Sequence, residues 1–176
     1  MGLSNIVMKL KLIKWKKRGL KIGKNVNIEA GCSIDPSFPW LVSIGDNVTI
    51  APNVCILAHD ASMKYSNGKT KLGVVEIGNN VFIGTKSTVF PGVTIGDNVI
   101  IGAGSVVTKS IPSGSVACGM PAKIINTYEQ YEQKMSELIS VGLNYDRSEV
   151  LNDKSIERER MKEEIKEEGI AFINYK

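Results

Sequence analysis

Ile77-Gly78-Asn79-Asn80-Val81-Phe82-Ile83-Gly84-Thr85-Lys86-Ser87-Thr88-Val89-Phe90-Pro91-Gly92-Val93-Thr94-Ile95-Gly96-Asp97-Asn98-Val99-Ile100-Ile101-Gly102-Ala103-Gly104-Ser105-Val106-Val107 is the stretch that decides the fold. An aliphatic residue stands at every sixth position: Ile77, Ile83, Val89, Ile95, Ile101 and Val107. Upstream, two shorter runs keep the same spacing, Ile22, Ile28, Ile34 and then Ile44, Ile50, Ile56. All twelve are Ile or Val, which together make up about a fifth of the chain, so chance does not supply the pattern. Four residues after each comes a second small or β-branched residue: Val26, Cys32, Val48, Val54, Val81, Ser87, Val93, Val99 and Ser105. Gly follows at Gly23, Gly45, Gly78, Gly84, Gly96 and Gly102, where a tight turn or a positive φ is expected. Asn and Asp crowd the next positions, as side chains that tolerate left-handed backbone do in turns.

A period of six fits neither an amphipathic helix nor a hairpin meander. It fits short strands joined by turns, three hexapeptides to a triangular coil, each coil stacking its aliphatics on the one below. The expected fold class is therefore all-β, a parallel β-helix solenoid. Aromatics are only 6% of the chain, so aliphatics must fill the core. Two breaks interrupt the register. Between Ile34 and Ile44 lies Asp35-Pro36-Ser37-Phe38-Pro39-Trp40, and between Ile56 and Ile77 a polar excursion runs from His59 to Gly73. Loops leaving a rigid scaffold are where chemistry concentrates. The last coil is expected to end near Ile111-Pro112. From Thr127 the pattern turns helical, with Tyr128, Tyr131, Met135, Leu138 and Ile139 on one face and Gly142 as a stop. Residues 148–168 suggest a second, highly charged helix. The domains follow: 1–21 a basic segment capping the solenoid, 22–126 the β-helix, and 127–176 a helical extension.

Charge is uneven. Residues 1–28 carry Lys9, Lys11, Lys14, Lys16, Lys17, Arg18, Lys21 and Lys24 with no acid, while residues 129–168 carry 12 acids against 7 bases. The basic start reads as a solvated helix face or as a contact for an anionic surface such as a membrane. No aromatic-rich groove accompanies it, which argues against nucleic acid. Lys14-Trp15-Lys16-Lys17-Arg18 breaks any secretory signal, and Gly2 lacks the hydroxyl residue myristoylation wants, since Ile6 stands there. Cys32, Cys55 and Cys118 are odd in number and widely spaced, as expected of reduced thiols in a cytoplasmic protein.

The only histidine, His59, stands at the mouth of the longer break. A lone histidine is more often structural, but transfer of an acyl group to a hydroxyl needs a base near neutrality, and a loop position would expose the ring to an acceptor. Asp35 and Asp60 could orient that ring or hold the acceptor, and Trp40 shares the first break with Asp35.

Over residues 22–125 the chain resembles the hexapeptide-repeat acyltransferases, whose coils wind left-handed, and within them the bacterial sugar O-acetyltransferases of the maltose, galactoside and capsule type. The sharpest motifs are Gly102-Ala103-Gly104-Ser105-Val106-Val107-Thr108-Lys109 and the closing Gly119-Met120-Pro121-Ala122-Lys123. The resemblance implies acetyl-CoA as donor, a hydroxyl of a sugar or glycan as acceptor, and His59 as general base. It also implies a homotrimer with its sites between subunits. Thr85 matches a position whose backbone N–H contacts the thiol end of the cofactor, and Ala103 one whose main chain bonds the pantetheine arm. Thr108, Lys109 and Lys123 match the adenosine end. The plainer alternatives are surface lysines for Lys109 and Lys123, and tight coil packing for Thr85 and Ala103. The break at Asp35–Trp40 departs from the maltose and galactoside pattern, which leaves the acceptor open.

Rival functions are an antibiotic acetyltransferase of the same fold and a non-catalytic binding scaffold. A serine acetyltransferase would need a large helical domain ahead of the repeats, and about twenty residues stand there. A zinc hydratase needs three imidazoles around one ion, and one histidine per chain does not provide them. No metal is expected.

Overall fold

The structure, a computed structural model, describes residues 3–151 and 155–175. It opens with helix α1 (Leu3–Lys17) and then lays down strands in threes: β1 (Lys21–Ile22), β2 (Asn27–Ile28) and β3 (Ser33–Ile34), then β4 (Val42–Ile44), β5 (Thr49–Ile50) and β6 (Cys55–Ile56). A hairpin, β7 (His59–Asp60) and β8 (Lys71–Leu72), encloses the short helix α2 (Lys64–Asn67). Two more triplets follow, β9 (Val75–Ile77), β10 (Val81–Ile83) and β11 (Thr88–Val89), then β12 (Thr94–Ile95), β13 (Val99–Ile101) and β14 (Val106–Val107). Within each triplet, successive strands enter three different parallel sheets. Sheet one is β1-β4-β9-β12 and sheet three is β3-β6-β11-β14. Sheet two runs β2-β5-β10-β13 and extends through β15 (Ser115–Cys118) to the antiparallel β16 (Lys123–Thr127).

The pairing register shows why the hexapeptide spacing gives this arrangement. Ile22 pairs with Ile44, Ile44 with Ile77 and Ile77 with Ile95, at separations of 22, 33 and 18 residues. Eighteen residues are three hexapeptides. The excess of four residues in the first interval and fifteen in the second is taken up by loops, so the column stays in phase. Ile28, Ile50, Ile83 and Ile101 make the matching column in sheet two, and Ile34, Ile56, Val89 and Val107 that in sheet three. Ten of the twelve aliphatics are buried; Ile22 and Ile28, in the first coil, are partly buried. The second set of small residues is buried too, from Cys32 through Ser105, with Val26 partly so.

The turns differ from expectation in one respect. Gly23, Gly45, Gly78, Gly84, Gly96 and Gly102 do not take positive φ. The left-handed positions in these turns are instead Asn25, Asn47, Asn80, Lys86 and Asn98, at φ 52 to 59°, and Gly104 at φ 68°. Glycine is needed for close stacking, since a Cβ at Gly45 would lie 2.6 Å from the Gly78 carbonyl oxygen. The four asparagines form a ladder. Asn25 Nδ2 donates to Asn47 Oδ1, Asn47 to Asn80 and Asn80 to Asn98, each at 3.0 Å.

At one end, α1 turns Met8 and Trp15 into the core, with Leu12 packed beside them. At the other, the stack runs on past Ile111-Pro112, where it was expected to stop. Ile111 bridges to Ile95, and β15 pairs in parallel with β13. Ala117 occupies the aliphatic slot there and is fully buried, but its small side chain hides it from a search for Ile and Val.

The chain divides into two compact units, Met1–Tyr128 and Glu129–Lys176. In the second, helix α3 (Tyr128–Val141) stops before Gly142. The single helix expected at 148–168 is instead α4 (Arg147–Val150) and α5 (Ser155–Glu168), with residues 152–154 of that stretch outside the described residues. An Asp146–Glu149 capping box starts α4. A parallel pair absent from the sequence reading, β17 (Leu143–Asp146) with β18 (Ala171–Asn174), joins these helices. The buried Tyr145 donates its hydroxyl to Glu164 Oε2 at 2.6 Å.

Candidate active site

Both loops leave the stack at the same corner, after sheet three, in consecutive coils. That is why residues 24 positions apart meet. The Asp35 N–H donates to the Ile56 carbonyl at 2.9 Å, which sets the start of the first loop on the start of the second. Asp35 is fully buried, and His59 is 27% exposed. His59 Nδ1 lies 2.5 Å from Asp35 Oδ2, which also accepts the Ala58 N–H at 2.8 Å. Asp35 Oδ1 accepts the N–H groups of Ser37 and Phe38, both at 3.0 Å. The carboxylate therefore has four donors around it.

Burial alone would push the Asp35 carboxyl up, but the hydrogen bonds from His59, Ala58, Phe38 and Ser37 outweigh it and hold the group below the usual carboxylate range. An ionised carboxylate at Nδ1 selects the tautomer with the proton on Nδ1, which leaves the Nε2 lone pair as the basic site. The Phe38 ring meets the imidazole edge-on, with centroids 5.2 Å apart, and Trp40 meets Phe38 in turn at 5.4 Å. Trp40 is 52% exposed, so an aromatic surface faces solvent beside the histidine.

Arg18, at the end of the helical segment, ties down this loop. Its guanidinium donates to the Pro36 carbonyl and, at 2.8 Å, to the Ser37 carbonyl. In the sequence Arg18 looks like one more cation in a basic run, and Phe38 like an apolar residue among prolines. Neither carried a signal for the site. Asp60, although adjacent to His59 in the chain, bonds elsewhere. Its Oδ1 accepts the Ser62 N–H at 2.9 Å, and the bonds from Ser62 hold its carboxyl below the usual range.

The other residues singled out in the sequence occupy different edges. Thr108 and Lys109 are exposed on the corner column that carries Asp35 and Ala58, since Leu57 N–H bonds Val89 O and Phe90 N–H bonds Val107 O. Thr85 and Ala103 share the other corner of sheet three. There the Thr85 hydroxyl donates to Pro52 O at 2.7 Å, and Gly104 N–H donates to Thr85 O at 2.8 Å. Lys123 is exposed and begins β16, opposite Cys118. One chain thus gathers Asp35, His59 and Trp40, and leaves Thr85, Ala103 and Lys123 across the sheet. Among the described residues no cluster of His, Cys, Asp and Glu side chains could hold a metal ion.

The repeat and the fold recur in known proteins. Residues 74–109 match the family described as the hexapeptide repeat of succinyl-transferase. Protein CapG of Staphylococcus aureus is 43% identical over 129 residues, which span 70% of this chain and 75% of CapG. A galactoside acetyltransferase solved in complex with coenzyme A superposes with a TM-score of 0.55 at 33% identity, covering 76% of each chain. A hexapeptide-repeat-containing acetyltransferase of Vibrio cholerae, complexed with acetyl-CoA, gives a TM-score of 0.57 at 26% identity and covers 63% of this chain and 61% of that one. With CapG matched over three quarters of its length and the same repeat running through the three sheets, the chain belongs to the hexapeptide-repeat acetyltransferase family.

Proposed function

We propose that the protein transfers an acetyl group from acetyl-CoA to a hydroxyl of a sugar or glycan precursor, with His59 as general base. The observation that carries this is the buried Asp35 carboxylate on His59 Nδ1, which leaves Nε2 free to take a proton at a solvent-facing corner. The galactoside enzyme among the similar structures supports a sugar acceptor and a coenzyme A donor.

The acceptor oxygen attacks the thioester carbonyl carbon while its proton passes to His59 Nε2. The tetrahedral oxyanion is steadied by a backbone N–H from the Thr85 corner. Collapse breaks the C–S bond, and the proton on Nε2 goes to the departing thiolate, giving coenzyme A and the acetyl ester. The base contributes about 10²–10⁴-fold and oriented binding much of the rest.

Thr85, Ala103 and Lys123 stand across sheet three from His59, which favours a site completed by a second copy. The coils are inferred to wind left-handed, as in the family, and the assembly to be a homotrimer with acetyl-CoA lying between subunits. In that reading Thr85 and Ala103 meet the thiol end and pantetheine arm, and Thr108, Lys109 and Lys123 the adenosine end. Residues 1–21 are inferred to cap the catalytic stack of residues 22–126, residues 127–176 to form an extension, and Asp60 and Trp40 to meet the acceptor. Three free cysteines support a cytoplasmic setting, and no described helix is long and apolar enough to cross a membrane.

Replacing His59 by Ala should leave coenzyme A binding by calorimetry intact and lower kcat by about 10²–10⁴-fold. Unchanged turnover at saturating acceptor would reject the assignment. The excursion between β7 and β8 keeps an antibiotic acceptor in contention, and parallel sugar and antibiotic panels with coenzyme A release as readout decide between them. Failure to bind coenzyme A at all would favour a non-catalytic scaffold.

A further inference from the structure

Helix α1 has two apolar faces, and only one is used. Met8, Leu12 and Trp15, spaced i, i+4, i+7, pack into the core. Ile6, Leu10 and Ile13 repeat that spacing two positions earlier, about 200° round the helix, and all three are exposed. Lys9 and Lys16 border this second stripe on one side, Lys14 borders it on the other, and Lys17 closes its end, all exposed. Residues 1–28 contain no acid.

We infer that α1 lies in the headgroup region of an anionic lipid bilayer, with Ile6, Leu10 and Ile13 sunk toward the acyl chains and the flanking lysines on lipid phosphates. The charge chooses among occupants. A second copy would bring the same cations against these, so homotypic pairing of the stripe is repelled. An aliphatic ridge bordered by lysines is the pattern of an in-plane helix, whose lysine stems lie along the apolar face while their ammonium groups reach outward. The helix is 15 residues long, so it would lie on the bilayer and not cross it. The opposite face, held by Met8 and Trp15, fixes the β-stack to whatever α1 rests on. This inference does not depend on the acyl-transfer chemistry.

The test is flotation of the full-length protein with vesicles of phosphatidylcholine alone or of equal parts phosphatidylcholine and phosphatidylglycerol, at low and high salt. Binding is expected to the anionic vesicles and to weaken steeply with salt. Leu10→Glu combined with Ile13→Glu should lower the partition coefficient about tenfold or more, and Lys14→Gln or Lys17→Gln about fivefold each. All four side chains are exposed, so circular dichroism should be unchanged. No partition to anionic vesicles would overturn the inference, as would binding that the Glu variants leave intact. If sedimentation shows the wild type associating through this stripe and the Glu variants dispersing it, the occupant is another protein surface and the lipid inference falls.

Discussion

The fully buried Asp35 carboxylate accepts four hydrogen bonds, and its partner His59 is held by one of them. Asp35→Asn keeps the shape but can present an N–H where Nδ1 needs an acceptor. We expect kcat to fall about 10²–10⁴-fold with little change in affinity for coenzyme A, as steady-state kinetics beside calorimetry would show. The carboxyl is held below its ordinary range in the folded chain. Its stabilising effect is therefore complete above the unfolded value of about 4 and is lost as pH falls through the lower folded value. Denaturant titrations should show wild type more stable than Asp35→Asn at neutral pH, with the gap narrowing only in strong acid. Arg18 acts one step further out, on the carbonyls of Pro36 and Ser37. Arg18→Ala should lower kcat while leaving KM for acetyl-CoA unchanged, with Arg18→Lys restoring only part, because a single ammonium cannot reproduce the fork. At this scale the sequence revealed the histidine and two aspartates without choosing between them. Asp60 is the neighbour in the chain, but neighbours on a strand point to opposite faces, and the residue 24 positions back lies one coil below.

At the scale of elements, each Ile or Val supports the one above it, and the middle of the column has most to lose. Ile83→Ala should cost about 2–5 kcal/mol, since Ile83 is fully buried between Ile50 and Ile101. Ile28→Ala, in the half-covered first coil, should cost less in the same denaturation series. The strands were legible because their spacing is regular and their residues are Ile and Val. Ala117 was not, for it holds the slot with too little side chain to be noticed. Nor was the pair β17–β18, whose four-residue strands carry no repeat. The split between α4 and α5 escaped because a highly charged stretch looks equally helical throughout. The glycines were read as turn residues, yet their service is to let one turn sit on the next.

Across the whole β-stack, insertions are confined to one corner. The Gly73 N–H donates to the Ala58 carbonyl at 3.0 Å, so the ends of the long excursion already touch. Asp60 pairs with Lys71 across β7 and β8. Replacing residues 61–70 by Asn-Gly would close that hairpin in a two-residue turn. The stack should keep its melting temperature within a few degrees, and coenzyme A should still bind. Acceptor KM should change if the excursion helps to form the acceptor site, which kinetics on a sugar panel would measure. This geometry could be anticipated only in outline. Phase breaks mark where a loop departs, but not that two loops depart from the same edge, which requires counting residues around complete coils.

The asparagine ladder bears on how such a chain assembles correctly. Each of the three bonds runs from the N–H of one amide forward to the oxygen of the next, so the row has a direction and a fixed address for each member. A coil that slipped by one residue would offer Val at that address in one direction and Lys24, Asp46, Asn79 or Asp97 in the other, and would turn its isoleucine outward. The ladder thus works as a proofreader. It adds little strength to the finished molecule but rejects the near-misses that a monotonous aliphatic column would accept.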